Sequence, residues 1–268
     1  MRHNQVAPET GSARRPRRAI ALVAAAVLAG TGLLLGGVAG SSTTPKEGDK
    51  IPNVTLVEND IKAYYGDTLD TVSGDHFPSP DGNYAHEVEG IEGNAQQYLA
   101  THSTHGQGAP AVVFDVDDTT LNTYNYEIFS GFAFNSTTNA DFVNTARFRA
   151  VFGMPDLVNW AGSHGYTVFF LTGRPVTQRD GTVANLVKVG YTVPTDVDHL
   201  YLRDRITPPP YLTCGATCTT IQYKSLTRAH IESLGYQIVG NFGDQFSDLE
   251  GGFADQTFKL PNPMYFLP

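Results

Sequence analysis

Short apolar runs alternate with helical patterns from residue 111 onward, and this alternation limits the folds available to the chain. The predicted strands are 111–115, 166–171, 198–203 and 236–241, and the predicted helices are 139–164, 176–189 and 223–234. Gly165, Gly190 and Gly235 stand where a helix gives way to the next strand, a position that favours glycine. The repeat predicts an α/β fold, in which a parallel sheet is covered by helices on both faces.

The first strand ends in the run Ala-Val-Val-Phe-Asp-Val-Asp-Asp-Thr-Thr-Leu, residues 111–121. Alternation along an extended chain predicts that Asp115, Asp117 and Thr119 point to one side, provided that the extended path continues. Carboxylates at the end of a buried strand lie where open α/β sheets bind ligands, and they serve there as metal ligands or nucleophiles. The motif alone is a weak signal, because calcium loops and ordinary strand exits also collect Asp and Thr.

Three later segments carry polar side chains to the same predicted edge of the sheet. They are Val168-Phe-Phe-Leu-Thr172-Gly173-Arg174, the amphipathic helix opened by Lys224, and Gly240-Asn-Phe-Gly-Asp244-Gln-Phe-Ser-Asp248. A helix lysine such as Lys224 is ordinarily a solvated surface residue. In combination and in this order, however, the four segments predict a catalytic site.

The combined motifs resemble those of the haloacid dehalogenase superfamily, and most closely its secreted acid phosphatases of the plant vegetative-storage-protein and bacterial class B type. The likeness rests on Phe-Asp-Val-Asp-Asp-Thr, Leu-Thr-Gly-Arg and Gly-Asp-Gln-Phe-Ser-Asp-Leu, and it covers about residues 50–268. It implies a Rossmann-like sheet with the Asp115 strand at its centre, flanked by the Thr172 and Asp244 strands. It also implies an enzyme that hydrolyses small phosphomonoesters.

The resemblance implies that Asp115 is the nucleophile and forms an aspartyl-phosphate. Mg²⁺ prefers hard oxygen ligands and retains several waters, so we assign it to Asp115, Asp244 and the backbone oxygen of Asp117. Asp248 is expected to orient metal-bound water from outside these ligands, or alternatively to cap a helix N-terminus.

Asp117 is expected to protonate the leaving alkoxide and then to deprotonate the attacking water, with nearby anionic charge keeping it protonated at the start. Thr172 and the backbone amide of Gly173 are expected to donate to the phosphoryl oxygens. Lys224 supplies positive charge to phosphate and Asp115, and Arg174 is expected to reach the substrate phosphate or its immediate neighbours.

Two regions flank these motifs in the predicted domain, residues 51–268. Residues 51–110 contain two helical patterns separated by a loop, and we interpret them as an N-terminal helical extension of a catalytic core at 111–268. Residues 122–152 follow the first motif and correspond to a small cap. Its aromatic residues are expected to pack the cap onto the core, and the alternative is that one or two of them stack on an aryl or nucleoside leaving group.

The first 40 residues have the character of a targeting segment. Arginines at 14, 15, 17 and 18 precede an apolar run from Ala19 to Gly40, which predicts a signal peptide or, if it is not cleaved, a signal anchor. Residues 41–50 are expected to form a flexible exit. The resulting expectation is a secreted or extracytoplasmic protein, attached to a membrane only if the leader is retained.

The amino-acid composition limits the kinds of molecule that the protein can bind. Without residues 1–40 the chain has 13 basic and 26 acidic residues, a net charge of −13, which disfavours binding to a nucleic-acid polymer. Cys214 and Cys218 are the two cysteines, and in an exported protein they predict a disulfide that stiffens the loop before Lys224. Two thiolates without nearby histidine do not complete a zinc site.

The sequence is compatible with three functions. The leading one is a secreted, magnesium-dependent acid phosphatase. A phosphotransferase or nucleotidase of the same superfamily would share the aspartyl-phosphate but differ in acceptor and cap contacts. A storage or binding protein would keep the fold without turnover, although a purely structural scaffold would not need Asp115, Asp117, Lys224 and Asp244 together.

Overall fold

Five parallel strands form the central sheet of the computed structural model, which describes residues 51–102 and 108–268. The predicted leader (1–40) and exit (41–50) lie outside the described residues. The strands are β1 (Thr68–Leu69), β2 (His76–Phe77), β3 (Ala109–Phe114), β4 (Leu121–Asn122), β5 (Arg149–Ala150), β6 (Thr167–Pro175), β7 (Leu200–Arg203), β8 (Tyr236–Gly243) and β9 (Gln256–Lys259). The helices are α1 (Val54–Tyr65), α2 (Asn83–His102), α3 (Tyr124–Ser130), α4 (Ser136–Asn144), α5 (Met154–Ser163), α6 (Arg179–Lys188), α7 (Thr220–Ser233) and α8 (Phe246–Leu249).

The order of the sheet is β7-β6-β3-β8-β9. The strand that leads to Asp115 is therefore central, and the strands that carry Thr172 and lead to Asp244 are its two neighbours. This confirms the predicted α/β architecture. The edge strand β9 was not predicted, because two of its four residues are exposed and it contains a single fully apolar side chain, Phe258.

The residues of β3 alternate between two hydrophobic clusters, as the two-residue period of a strand requires. Val112 and Phe114 belong to the larger cluster, whereas Ala111 and Val113 belong to the smaller one on the other face. Both faces of the central strand are therefore buried. This explains why the sequence of the strand is a continuous apolar run rather than an apolar and polar alternation.

The helix predicted over 139–164 is wrong, because the structure contains two helices separated by a short strand. α4 ends at Asn144, and α5 begins only at Met154. Between them β5 pairs with β4, and Gly153 adopts a left-handed conformation (φ 69°) before Pro155 opens the next helix. Proline is favoured in the first turn of a helix, so Gly153 and Pro155 were the local signals of this break.

The N-terminal region packs onto the start of the predicted cap, residues 122–152, through stacked tyrosines. The Tyr65 ring lies 4.4 Å from that of Tyr84 and 4.6 Å from that of Tyr124, measured between centroids. α1 and α2 agree with the two predicted helical patterns. The loop predicted between them contains a two-stranded antiparallel sheet, β1–β2.

Candidate active site

Three carboxylates meet where β3 and β8 end. Asp115 follows β3 directly, and its backbone N–H donates to the carbonyl oxygen of Phe242 on β8 at 3.0 Å. Asp244 follows β8, and Asp248 lies on α8. One carboxylate oxygen from each of the three lies within 4.8 Å of the others, and all three residues are buried.

Lys224 reaches this cluster from α7. The helix begins with a capping box formed by Thr219 and Gln222, which fixes the turn that precedes the lysine. Its ammonium group donates to an oxygen of Asp115 and to the backbone oxygen of Leu171, and it lies 3.0 Å from Oδ1 of Asp248. Burial alone would lower the pKa of Lys224, but the facing carboxylates raise it above its ordinary value.

Asp244 is oriented by two amides. Its Oδ2 accepts from Gln245 Nε2 at 2.7 Å and from Asn262 Nδ2 at 2.6 Å, and Asn262 comes from the loop after β9. Gly243 precedes it at a crowded point, because a Cβ there would lie 2.4 Å from the Cβ of Asp248. Only glycine allows this close approach of α8 to the strand end.

Asp248 caps a helix, which is one of the two roles that the sequence left open, and the other role, orienting metal-bound water, stays a prediction. Its Oδ2 accepts from the backbone N–H of Gln245 at 3.0 Å, which closes a capping box at the start of α8. Its Oδ1 faces Lys224. The carboxylate also belongs to the group of three that lie within ligand distance of one another, so it is placed to contribute to a cation site directly.

The cluster has more negative than positive charge, with three carboxylates against one lysine. Burial, and then repulsion from Asp248 and Asp118, raises the pKa of Asp244 well above its ordinary range. Clustered carboxylate oxygens of this kind are the donor set that a hard divalent cation prefers. The residues present therefore fit Mg²⁺.

Asp117 faces a different partner from the one expected. The extended path does not continue beyond Asp115, because Asp118 adopts a left-handed conformation (φ 51°) and Asp117 forms a bridge to Leu121. Arg174 donates to both carboxylate oxygens of Asp117, with Nη2 2.6 Å from Oδ1. Instead of purely anionic neighbours, Asp117 has a buried cation beside it.

The other two site residues predicted at the end of β6, Thr172 and Gly173, differ in burial. Thr172 is fully buried, and its Oγ1 accepts from the backbone N–H of Arg174 at 3.1 Å, while its backbone oxygen accepts from Tyr223 at 3.1 Å. Gly173 is exposed, with open space where a Cβ would stand. The predicted disulfide between Cys214 and Cys218 is confirmed, in the loop between β7 and α7.

Several site residues were missed by the sequence reasoning. Asp118 is fully buried, and it accepts from the Thr123 backbone N–H at 3.0 Å and from the Tyr265 hydroxyl at 2.8 Å. Asp118 stood inside the quoted motif and was a detectable candidate. Asn262 and Tyr265 had no local signal, because they reach the site only through the fold of the C-terminal segment.

Residues 38–268 match the family described as HAD superfamily, subfamily IIIB (Acid phosphatase). Acid phosphatase 1 from Solanum lycopersicum is 33% identical over 193 residues, which cover 69% of this chain and 69% of that protein. The stem 28 kDa glycoprotein from Glycine max is 34% identical over 179 residues, covering 65% of this chain and 66% of that protein. Vegetative storage protein 1 from Arabidopsis thaliana is 27% identical over 226 residues, with coverages of 83% and 76%.

The fold has counterparts among solved structures. A class C acid phosphatase from Bacillus anthracis with tungstate bound superposes with a TM-score of 0.61 at 21% identity, covering 80% of this chain and 87% of that one. At this identity the similarity concerns the fold alone. Within 51–102 and 108–268, no helix combines the length and apolar character needed to cross a bilayer.

The family match spans most of the chain, and the tomato relative exceeds 30% identity over more than two thirds of it. The chain spans about two thirds of the length of the soybean and tomato relatives. The chain belongs to the haloacid dehalogenase superfamily, in its acid phosphatase subfamily IIIB, which is a family of phosphomonoester hydrolases.

Proposed function

We propose that this protein is a magnesium-dependent acid phosphatase that hydrolyses small phosphomonoesters through an aspartyl-phosphate on Asp115. The observation that carries the proposal is the buried group of Asp115, Asp244 and Asp248 beside Lys224, at the carboxyl ends of adjacent parallel strands. This is where ligands bind in open α/β sheets.

Mg²⁺ would be held by Asp115, Asp244, Asp248 and the backbone oxygen of Asp117. When bound, it would neutralise phosphate charge and keep Asp115 ionised. Three carboxylates with a single lysine leave room for this additional positive charge.

An oxygen of Asp115 attacks phosphorus, the ester P–O bond breaks, and the leaving alkoxide takes a proton from Asp117. Water then attacks the aspartyl-phosphate and gives its proton to Asp117, and the bond to Asp115 breaks to release inorganic phosphate. Arg174 holds Asp117 in place for both steps through its paired hydrogen bonds.

The groups near the end of β6 are assigned to phosphate binding. The exposed backbone of Gly173 offers its amide, and Lys224 adds charge next to Asp115. Thr172 is held in the site by its own hydrogen bonds. Arg174 uses Nε, Nη1 and Nη2 on Asp117 and Thr182, so we assign it to positioning Asp117 rather than to the phosphate.

A storage protein is the second candidate, because one relative is named a vegetative storage protein. The set of Asp115, Asp117, Lys224 and Asp244, of which all but Asp117 are buried, favours turnover instead. We also propose export, on the basis of the predicted leader and of the Cys214–Cys218 disulfide, which is typical of oxidising compartments.

The decisive experiment is hydrolysis of a generic aryl phosphate by the purified protein, with Mg²⁺ or with chelator. Asp115→Asn is expected to lose at least about a thousandfold in kcat, whereas Asp141→Asn, an exposed aspartate on α4, retains wild-type turnover. Wild-type turnover by the Asp115 variant would overturn the nucleophile assignment. Alkyl phosphate formed with added alcohol would identify a phosphotransferase instead.

A further inference from the structure

Glu127 is a buried acidic residue near Asp117, the proposed proton donor. The proposed mechanism does not use Glu127. It lies on α3, one turn beyond the first motif, and only 6% of its surface is exposed. Its carboxyl group is close enough to Asp117 and Asp118 for their charges to interact. Burial and the charge of Asp117 raise the pKa of Glu127 to about 7.

The carboxyl group of Glu127 has no hydrogen-bond partner among the residues that the structure describes. The fully enclosed side-chain atoms without a partner, in that part of the chain, belong to Tyr65, Glu92 and Tyr124. The Glu127 oxygens therefore keep some contact with solvent. α3 begins beside the site, because the backbone N–H of Thr123 donates to Asp118 at 3.0 Å. The unpaired oxygens of Glu127 lie within range of the charge of Asp117, whose side chain is 30% exposed.

A largely buried polar group without a protein partner depends on water or a ligand for its hydrogen bonds. In the proposed reaction the group next to Asp117 is the leaving alcohol, because Asp117 gives its proton to that oxygen. A carboxyl group offers an acceptor oxygen whether or not it is protonated. Its complementary partner in both states is a hydroxyl on the leaving alcohol.

We propose that Glu127 is a specificity residue that accepts a hydrogen bond from a hydroxyl on the alcohol of the phosphomonoester, so that polyol phosphates are preferred to simple alkyl phosphates. This proposal rests on the proposed function. It assigns Glu127 no part in bond breaking.

The test compares kcat/KM for glycerol 1-phosphate and n-propyl phosphate, which have the same carbon chain with and without hydroxyls. The wild-type protein is expected to prefer glycerol 1-phosphate. Glu127→Leu, which removes the acceptor, is expected to lower that preference about tenfold or more. Glu127→Gln keeps an acceptor oxygen and is expected to retain the preference within about threefold.

Glu89→Leu on the exposed face of α2 is the matched control, and its ratio is expected to equal that of the wild type. An unchanged ratio in Glu127→Leu, or an equal loss in the Leu and Gln variants, would overturn the assignment. If Glu127→Leu does not fold, absence of any preference in the wild type would also overturn it. Failure of the proposed function is distinguishable, because the wild-type protein would then hydrolyse neither substrate.

Discussion

Arg174 and Asp117 form a paired contact between neighbouring strand ends, with Nη2 2.6 Å from Oδ1 and Nε 3.0 Å from Oδ2. Only 4% of the Arg174 side chain is exposed, and its Nη1 also donates to Thr182 on α6. A planar guanidinium anchored on two sides fixes both the position and the rotation of the carboxylate. Any proton transfer by Asp117 therefore depends on a residue from a different motif.

The Arg174–Asp117 contact predicts that loss of the arginine changes kcat but not KM. Arg174→Ala is expected to lower kcat for an aryl phosphate about tenfold to a hundredfold with little change in KM, because Asp117 loses its orientation. Steady-state kinetics check this, with Arg149→Ala on β5 as the control. A rise in KM with unchanged kcat would show instead that Arg174 binds the substrate phosphate.

The carboxylate cluster predicts a metal effect on stability. Saturating Mg²⁺ is expected to raise the melting temperature of the wild type by about 5–10 °C, since a ligand at a hundred times its Kd adds about 2.7 kcal/mol. Asp244→Asn is expected to lose most of this shift, and with chelator present it is expected to melt above the wild type, because one buried charge is removed. Differential scanning calorimetry measures both, and Asp141→Asn is the control. Equal Mg²⁺ shifts in the two variants would contradict the site.

Glu92 predicts a pH dependence of stability. Burial, followed by the charges of Asp156 and Glu89, raises its pKa from 4.5 to about 8. The folded protein therefore binds this proton more tightly than the unfolded chain does. The stability that Glu92 contributes is fully present below about pH 4.5, and it is lost as the pH rises through 8.

Glu92→Gln is accordingly expected to reduce the decline in unfolding free energy between pH 4.5 and 8 by about 1–2 kcal/mol, after allowance for its partial exposure. Urea titrations across this range measure it. Asp141→Asn, an exposed aspartate on α4 that is not among the charges acting on Glu92, is the control and is expected to follow the wild-type curve. Parallel curves for wild type and Glu92→Gln would refute the assignment.

Two helical glycines are predicted to respond oppositely to alanine. A Cβ at Gly181 on α6 would lie 2.6 Å from the backbone oxygen of Val143 on α4, so Gly181→Ala is expected to destabilise the protein by about 1–3 kcal/mol. Gly90 on α2 has open space around the Cβ position. Gly90→Ala is expected to stabilise by about 0.5–1 kcal/mol through helix propensity alone. Thermal unfolding of both variants tests the pair, and destabilisation by both would contradict it.

Local periodicity predicted the parallel sheet, whereas the central position of the Asp115 strand was implied by the family resemblance. A continuous apolar run marks a strand buried on both faces, and glycines at 165, 190 and 235 mark where helices end. The same reasoning failed over 139–164, where a helical pattern conceals β5 and a second helix start. Pairing of β5 with β4 depends on residues almost 30 positions away in the chain, and periodicity does not register it.

By itself, the sequence determined which chemical groups follow each strand and, through the parallel arrangement, that Asp115, Thr172 and Asp244 share one edge of the sheet. Only the tertiary structure decided their partners. In the folded protein Arg174 hydrogen-bonds to Asp117, and Asn262 hydrogen-bonds to Asp244. Glu127 lies near Asp117 without a hydrogen-bond partner among the described residues. The positions of strands along the chain follow from patterns within a few residues. A hydrogen bond requires two atoms to lie within about 3 Å, and only packing of the whole chain sets that distance.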